Sequence, residues 1–170
     1  PPSFLQVILI MIKRIKTLVI VSVYSFASCS LSAQVKQFTL LPATATGVDF
    51  RNDIVESASM FMYMYENLYA GGGVAVCDVN NDGLPDIYFS STLCHNKLYL
   101  NQGGFTFKDI TETAGVNGGE GIKTGVSMVD INNDGNLDIF VCKSGFKDPN
   151  LRKKILYINN GNGTFSNRAA

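Results

Sequence analysis

From Gly73 onward the chain runs in short apolar stretches, each closed by glycine, asparagine or aspartate. "GVAV" (Gly73 to Val76) and "GVSMV" (Gly125 to Val129) each lead into a polar, acidic stretch. A second apolar run leaves each stretch at once, over Ile87–Ser90 in the first case and Ile139–Cys142 in the second. "LYLN" and "LYIN" follow, and after a glycine-rich turn come "FTFKDI" and "GTF". Short runs rich in Val, Ile, Tyr and Phe, bounded by turn residues, predict β-strands. "FTFKDI" alternates apolar and polar residues, which is the period of a half-buried strand. The runs that leave the acidic stretches are almost continuously apolar, as strands covered on both faces are. Upstream, "GVDF" (Gly47 to Phe50) also predicts a strand. "MFMYMYENLY" (Met60 to Tyr69) reads as a core or sheet-facing segment. The alternative, an aromatic patch facing a ligand, has nothing in the sequence to favour it.

The pattern occurs twice. Gly73–Ser91 matches Gly125–Lys143 without a gap, at an offset of 52 residues from Asp78 to Asp130. Leu98–Phe107 then matches Leu156–Phe165 at an offset of 58, because "GFKDPNLRKK" lengthens the second connection. Self-similarity at such a period marks a repeat architecture. Four short strands in roughly 50 residues is the size of a β-propeller blade. A single blade cannot cover its own apolar faces, so neighbours must stack on it. The predicted fold is therefore all-β: about two blades of a β-propeller, preceded by a helical signal peptide. The expected divisions are residues 1–33 (upstream residues and signal peptide, with the start at Met11), 34–72 (an N-terminal strand and linker), 73–116 (the first repeat) and 117–170 (the second, truncated).

The acidic stretches, "DVNNDGLPDIYF" and "DINNDGNLDIFV", carry the candidate chemistry. In D-x-N-x-D-G-x-x-D, positions 1, 3, 5 and 9 supply side-chain oxygens, glycine at 6 permits a sharp turn, and position 7 offers its carbonyl. In the first loop these are Asp78, Asn80, Asp82, Gly83, Leu84 (backbone oxygen) and Asp86. In the second they are Asp130, Asn132, Asp134, Gly135, Asn136 (backbone oxygen) and Asp138. An all-oxygen set selects Ca²⁺ over zinc or copper. Three carboxylates so close repel one another without a cation. A plain Asn/Asp/Gly turn uses the same residues, but two copies in register favour two calcium sites. Neither loop is an EF-hand, since position 12 is Phe89 or Val141 and the flanks read as strands. The expected affinity is that of weak extracellular modules, about 10⁻⁴ to 10⁻³ M.

Charge and composition narrow the setting. Lys and Arg number 14, as do Asp and Glu, so nothing suggests a nucleic-acid partner. Lys13, Arg14 and Lys16 precede an apolar stretch from about Leu18 to Ala27 and then small residues, the grammar of an export signal. The uncharged run is short for a membrane span of roughly 30 Å. Two cleavage readings stand. "FASC" resembles a loose lipobox, which makes Cys29 a candidate lipidation site, and "LSA" before Gln34 fits an ordinary signal peptidase. Cleavage after Ala33 removes three cations, leaving 11 basic and 14 acidic residues and a net charge of −3. Cys77, Cys94 and Cys142 lack CxxC spacing, which argues against zinc; whether any of them pair as a disulfide is left open.

With these residues in place, "GGGVAVCDVNNDGLPDIYFSS" and "NKLYLNQGGFTFKDIT" resemble the FG-GAP/VCBS repeat, the unit of integrin-α-like propellers and of bacterial proteins similar to cartilage acidic protein. The likeness covers about Gly47 to Ala170. It implies a seven-bladed ring with calcium in hairpin loops, outside the cytoplasm, and places the ligands on the two sets named above. No catalytic constellation accompanies the loops. His95 is the only histidine, and it falls between predicted strands. "NGT" at Asn162 matches a glycosylation sequon that has meaning only in a eukaryotic secretory protein. The expected function is a non-enzymatic, calcium-binding module, secreted or on the cell surface, that binds a protein or carbohydrate in adhesion or ligand capture. It touches a membrane only through a lipid anchor. The alternative is an accessory or catalytic propeller of a secreted enzyme that acts on polysaccharide, and a third reading is a structural spacer.

Overall fold

The computed structural model describes residues 6, 9, 11–18, 38–145 and 148–168. The chain divides into two compact units, Pro1–Leu40 and Leu41–Ala170. In the first, residues 11–18 are helical and exposed. Among the described residues no helix is long and apolar enough to cross a membrane. Cys29, both cleavage positions and most of the apolar stretch before them lie outside the described residues.

Among its described residues the second unit holds eight strands: β1 Val74–Cys77, β2 Asp86–Phe89, β3 Lys97–Asn101, β4 Phe107–Asp109, β5 Ile122–Val129, β6 Asp138–Ser144, β7 Ile155–Asn159 and β8 Phe165–Asn167. They form two four-stranded sheets, β1-β2-β3-β4 and β5-β6-β7-β8, each in chain order. Every pairing is antiparallel. Short connections between consecutive strands make this the simplest topology. β5 is longer than β1 and carries an irregularity between Lys123 and Gly125.

The sheets stack through apolar faces. Tyr88 and Leu98 are register partners on one face of the first sheet, and both are fully buried. They pack in one cluster with Ile139, Val141, Ile155 and Tyr157 of the second. Enclosing such a side chain stabilises by about 1.5–3 kcal/mol. The polar atoms at this seam are paired. Asn96 Nδ2 donates to the Tyr88 hydroxyl (2.7 Å), which donates to the Val116 carbonyl (2.7 Å). The Gly118 N–H donates to the Tyr157 hydroxyl (3.0 Å). At the first strands the backbones nearly touch, and a Cβ on Gly73 would meet Val126 N at 2.8 Å.

The strand expected over Gly47–Phe50 does not form. A short helix, Ala43–Thr46, ends on Gly47 with φ 77°, and the following residues run unpaired. Their side chains cover the first sheet instead of lengthening it. Phe50 lies flat on Phe89 (4.6 Å between ring centres), and Asp49 accepts from the Tyr99 hydroxyl (2.6 Å). Asn52 accepts from Ser91 Oγ and the Thr92 N–H (2.9 and 2.7 Å). The methionine–tyrosine run splits. Tyr65 and Leu68 are buried in a second cluster with Ile122, while Met62, Tyr63, Met64 and Tyr69 are exposed. The first sheet is thus covered on both faces. The far face of the second, with register partners Phe140 and Leu156, is only half-buried.

Candidate functional site

Both acidic stretches are hairpin loops, joining β1 to β2 and β5 to β6. Each bends through two left-handed residues: Asn81 (φ 59°) and Gly83 (85°) in the first, Asn133 (60°) and Gly135 (85°) in the second. Asparagine and glycine adopt this conformation at least cost, so "NNDG" fixes where the chain turns.

The side chains then tie each loop to its own backbone. The Asp82 N–H donates to Asp78 Oδ1 (3.1 Å) and Asn80 Oδ1 (3.3 Å), and the Gly83 N–H donates to Asp78 Oδ2 (2.7 Å). The Leu84 N–H donates to Asp82 Oδ1 (2.8 Å), and Asn80 Nδ2 to Asp82 Oδ2 (2.8 Å). The second loop repeats every bond. Asp134 N–H donates to Asp130 and Asn132, Gly135 N–H to Asp130, Asn136 N–H and Asn132 Nδ2 to Asp134. The Asn136 N–H, helped by the Asn132 side chain, holds the Asp134 carboxyl below the usual range. The loops are also neighbours, with Asn81 Nδ2 donating to Asn136 Oδ1 (3.1 Å).

Asp86 and Asp138 are completely buried and brace the hairpin roots. Asp86 accepts from the Val79 N–H (2.9 Å) and, across to β3, from the Asn101 N–H (2.8 Å). Asp138 accepts from the Ile131 N–H (3.0 Å) and, across to β7, from the Asn159 N–H (2.8 Å). Burial pushes the Asp86 carboxyl upward, against the pull of those two N–H groups.

Two residues that sequence reasoning passed over complete the brace. Asn101 and Asn159 each accept from a glycine N–H in the next turn, Gly103 (2.9 Å) and Gly161 (3.0 Å). Their amides donate back to the loop carbonyls of Pro85 (2.9 Å) and Leu137 (3.2 Å). Asn159 also reaches the Val79 carbonyl (2.8 Å), stitching the second sheet to the first sheet's loop. The signal was present in the asparagine that closes both "LYLN" and "LYIN".

In donor chemistry each loop suits a hard cation. Carboxylate and amide oxygens share one turn, and an oxygen that accepts one N–H retains a lone pair. In placement the carboxylates stand apart. Among the described residues no three Asp, Glu, His or Cys side chains gather as a group that could hold a metal ion. Asp86 and Asp138 turn to the root, whereas Asp78, Asp82, Asp130 and Asp134 serve the tip. Leu84 and Asn136 occupy the seventh position of each loop, each donating its N–H to the aspartate at the fifth.

The remaining candidates lie elsewhere. Cys77, Cys94 and Cys142 are free thiols. Burial, and after it the Asp86 and Asp78 charges, pushes Cys77 up to about 11, so it is a poor nucleophile. His95 stands exposed in the β2–β3 connection.

An FG-GAP-like repeat family matches residues 78–141, a span that begins at the first loop aspartate and runs through the second loop into β6. Cartilage acidic protein 1 of Xenopus tropicalis is 30% identical over 118 residues, covering 68% of this chain and 18% of that protein. Cartilage acidic protein 1 of Mus musculus is 32% identical over 93 residues, covering 55% of this chain and 14% of that protein. The chain therefore spans less than a fifth of the length of these relatives.

Proposed function

Since the chain is an FG-GAP repeat protein, we propose that it is a non-catalytic ligand-binding or adhesion module whose hairpin loops take up calcium outside the cytoplasm. One observation carries the reading: two loops with the same oxygen donors and the same left-handed backbone lie side by side at the edge of two stacked sheets. Asp78, Asn80, Asp82 and the Leu84 carbonyl would hold one ion, with Asp86 joining them only by turning from the hairpin root; Asp130, Asn132, Asp134 and the Asn136 carbonyl would hold the other, with Asp138 turning likewise. A bound divalent ion supplies charge that offsets the repulsion among the aspartates. Its role is mechanical, stiffening a hairpin already closed by N–H donors. The basic and then apolar residues after Met11 support export. The stacking of one sheet's face on the next supports a ring of such sheets.

The test is a thermal melt with and without calcium. Sites of about 10⁻⁴ to 10⁻³ M affinity stabilise by about 0.4 to 1.4 kcal/mol each at roughly millimolar calcium. For a chain of this size that is a rise in Tm of a few degrees, reversed by chelator. Asp82→Asn with Asp134→Asn abolishes the rise. A melt indifferent to calcium and to chelator refutes the calcium reading.

A further inference from the structure

The connection that leads into the second sheet, "VNGGEGIK" (Val116 to Lys123), is held by two lysines and a tyrosine. The Lys123 ammonium donates to the Gly119 carbonyl (2.9 Å), and the Lys143 ammonium to the Glu120 carbonyl (2.5 Å). The Gly118 N–H donates to the Tyr157 hydroxyl (3.0 Å). The longer β6–β7 connection closes on the same turn from the other side, where a Cβ on Gly121 would lie 2.4 Å from the Leu151 carbonyl.

Between these two connections lies a pocket of about 330 Å³. Ile155 and Tyr157 line it, together with Asn167, the register partner of Tyr157. Ile155 and Tyr157 belong to the face that packs on the first sheet. Phe140 and Leu156 alternate onto the opposite face. The pocket therefore opens at the seam between the two sheets, and a further sheet stacked on Phe140 and Leu156 would lie on the side away from it. Lys154 also borders the pocket, from Leu156's side, and the site does not depend on it.

The rest of the lining is basic and rich in amides. Lys143 and Lys153 bring charge, and Asn117, Asn150 and Asn167 bring amides. Among the described residues no carboxylate lines the pocket. Lys143 is only 8% exposed, and its register partner Lys123 is fully buried. Two ammonium groups so placed repel. The ion pairs among the described residues join Arg51 to Asp53 and Lys97 to Asp109, and involve none of these lysines. Glu120 acts on Lys143 through its charge, but only its carbonyl is bonded to the ammonium. An ammonium carries three N–H donors, so Lys143 keeps donors for a ligand.

The first sheet shows that the fold does not require this charge. At the matching positions it carries Ser91 for Lys143, His95 for Lys153, Asp109 for Asn167 and Lys97 for Ile155. There Lys97 and Asp109 neutralise each other (2.5 Å). Three of these exchanges make the second copy more positive, and Lys97 to Ile155 alone makes it less. A buried cation without a charged partner is costly, and an anion in the pocket offsets that cost. Lysine acts as a point charge, so carboxylate and phosphate both suit it. Side-chain amides donate to and accept from hydroxyl groups. The volume lies at the low end of the range of about 300–1,000 Å³ for small-ligand sites, which suits one sugar ring better than a chain.

We propose that this pocket binds a single sugar unit bearing a carboxylate or phosphate group. The proposal rests on the ligand-binding reading above and gives that reading a ligand class. Titration calorimetry on the whole chain tests it with galacturonate, glucose 6-phosphate, inorganic phosphate and glucose. The expected result is that at least one acidic sugar binds, more tightly than inorganic phosphate, that glucose does not bind, and that added salt weakens binding. Which acidic sugar binds identifies the recognised group. Lys143→Met weakens binding by about tenfold or more. Lys153→Ala, at an exposed position, weakens it less and leaves the Tm unmoved. Lys108→Ala, outside the pocket, binds as the parent does. The proposal is overturned if neither acidic sugar binds at low salt, or if glucose or inorganic phosphate binds as tightly as the better of the two. It is equally overturned if Lys143→Met and Lys153→Ala both bind as the parent does, or if Lys108→Ala weakens binding as much as Lys143→Met. A calcium-indifferent melt with sugar binding intact sinks the loop reading alone, and a calcium-dependent melt with no sugar bound sinks the pocket alone.

Discussion

The two sheets share a four-stranded order and a hairpin loop tied by the same five bonds, yet their equivalent faces meet different surroundings. Tyr88 and Leu98 of the first sheet are sealed beneath the second, and their neighbours Ser91 and Asn96 are fully buried as well. Phe140 and Leu156 take the same register positions in the second sheet and stay half-buried, with Lys143 and Lys154 beside them. The hairpin brace is thus a property of the repeat, set by a nine-residue motif and one asparagine. The character of the face is a property of the copy, set by what lies against it. Sequence that repeats encodes the scaffold, and sequence that departs from the repeat sets the character of each face.

The sharpest way to break that comparison is to truncate the same position in both sheets. Tyr88→Ala empties a sealed site and orphans the Asn96 amide and Val116 carbonyl. Phe140→Ala removes a ring with one side already open. Urea denaturation is expected to show a loss of about 3–5 kcal/mol for Tyr88→Ala and about 1 kcal/mol for Phe140→Ala. Equal losses would mean that the far face of the second sheet is covered after all.

A somewhat smaller effect tests the shared half of the comparison. Asp86→Ala and Asp138→Ala each leave two backbone N–H groups without an acceptor inside the protein. An unsatisfied buried donor costs about 1–3 kcal/mol, so each variant is expected to lose about 2–4 kcal/mol in chelator. Similar losses at the two sites confirm interchangeable braces. A loss at only one shows that the copies have diverged in mechanism as well as in surface.

Most of the scaffold was legible in the sequence, for a physical reason: strand pairing and loop bending are local. The apolar runs, the turn glycines and the repeat offset all act within a few residues. "GVDF" misled because apolar character alone does not say whether a segment pairs its backbone. Here Phe50, Asp49 and Asn52 are consumed by side-chain contacts to a finished sheet. The methionine–tyrosine run was half legible, since its composition marks a surface that can be buried without saying which side chains are. Asp86 and Asp138 were legible as acids with a task, but their buried, inward direction depends on β3 and β7 arriving opposite them. The gathering of basic side chains beside Phe140 and Leu156 was not legible at all, because residues from position 143 to position 168 meet only when the sheet is assembled.

The smallest effect concerns Lys123, which matches Gly71 in the first repeat and is fully buried. Its ammonium donates to the Cys94 and Gly119 carbonyls (2.8 and 2.9 Å) with no carboxylate on it. Burial, and after it the nearby Lys143 charge, lowers its pKa to about 8, from the ordinary lysine value of 10.5. The folded state therefore binds this proton less readily than the unfolded chain. Below pH 8 both states carry it and the fold bears the whole penalty, which is on the order of 3 kcal/mol. As pH rises from about 8 to 10.5 the folded state is neutral while the unfolded chain is still charged, so the penalty fades and this contribution to stability improves. Tyrosines also titrate near the top of that window, so the informative quantity is the difference between the parent and Lys123→Met. That difference is expected to favour Lys123→Met at pH 7 by at most about 3 kcal/mol, less whatever the two carbonyl bonds return, and to shrink steadily toward pH 10.5. A difference flat across the window would mean that the amine keeps its ordinary affinity for protons inside the sheet, and that the second copy tolerates a buried charge as readily as the first does its glycine.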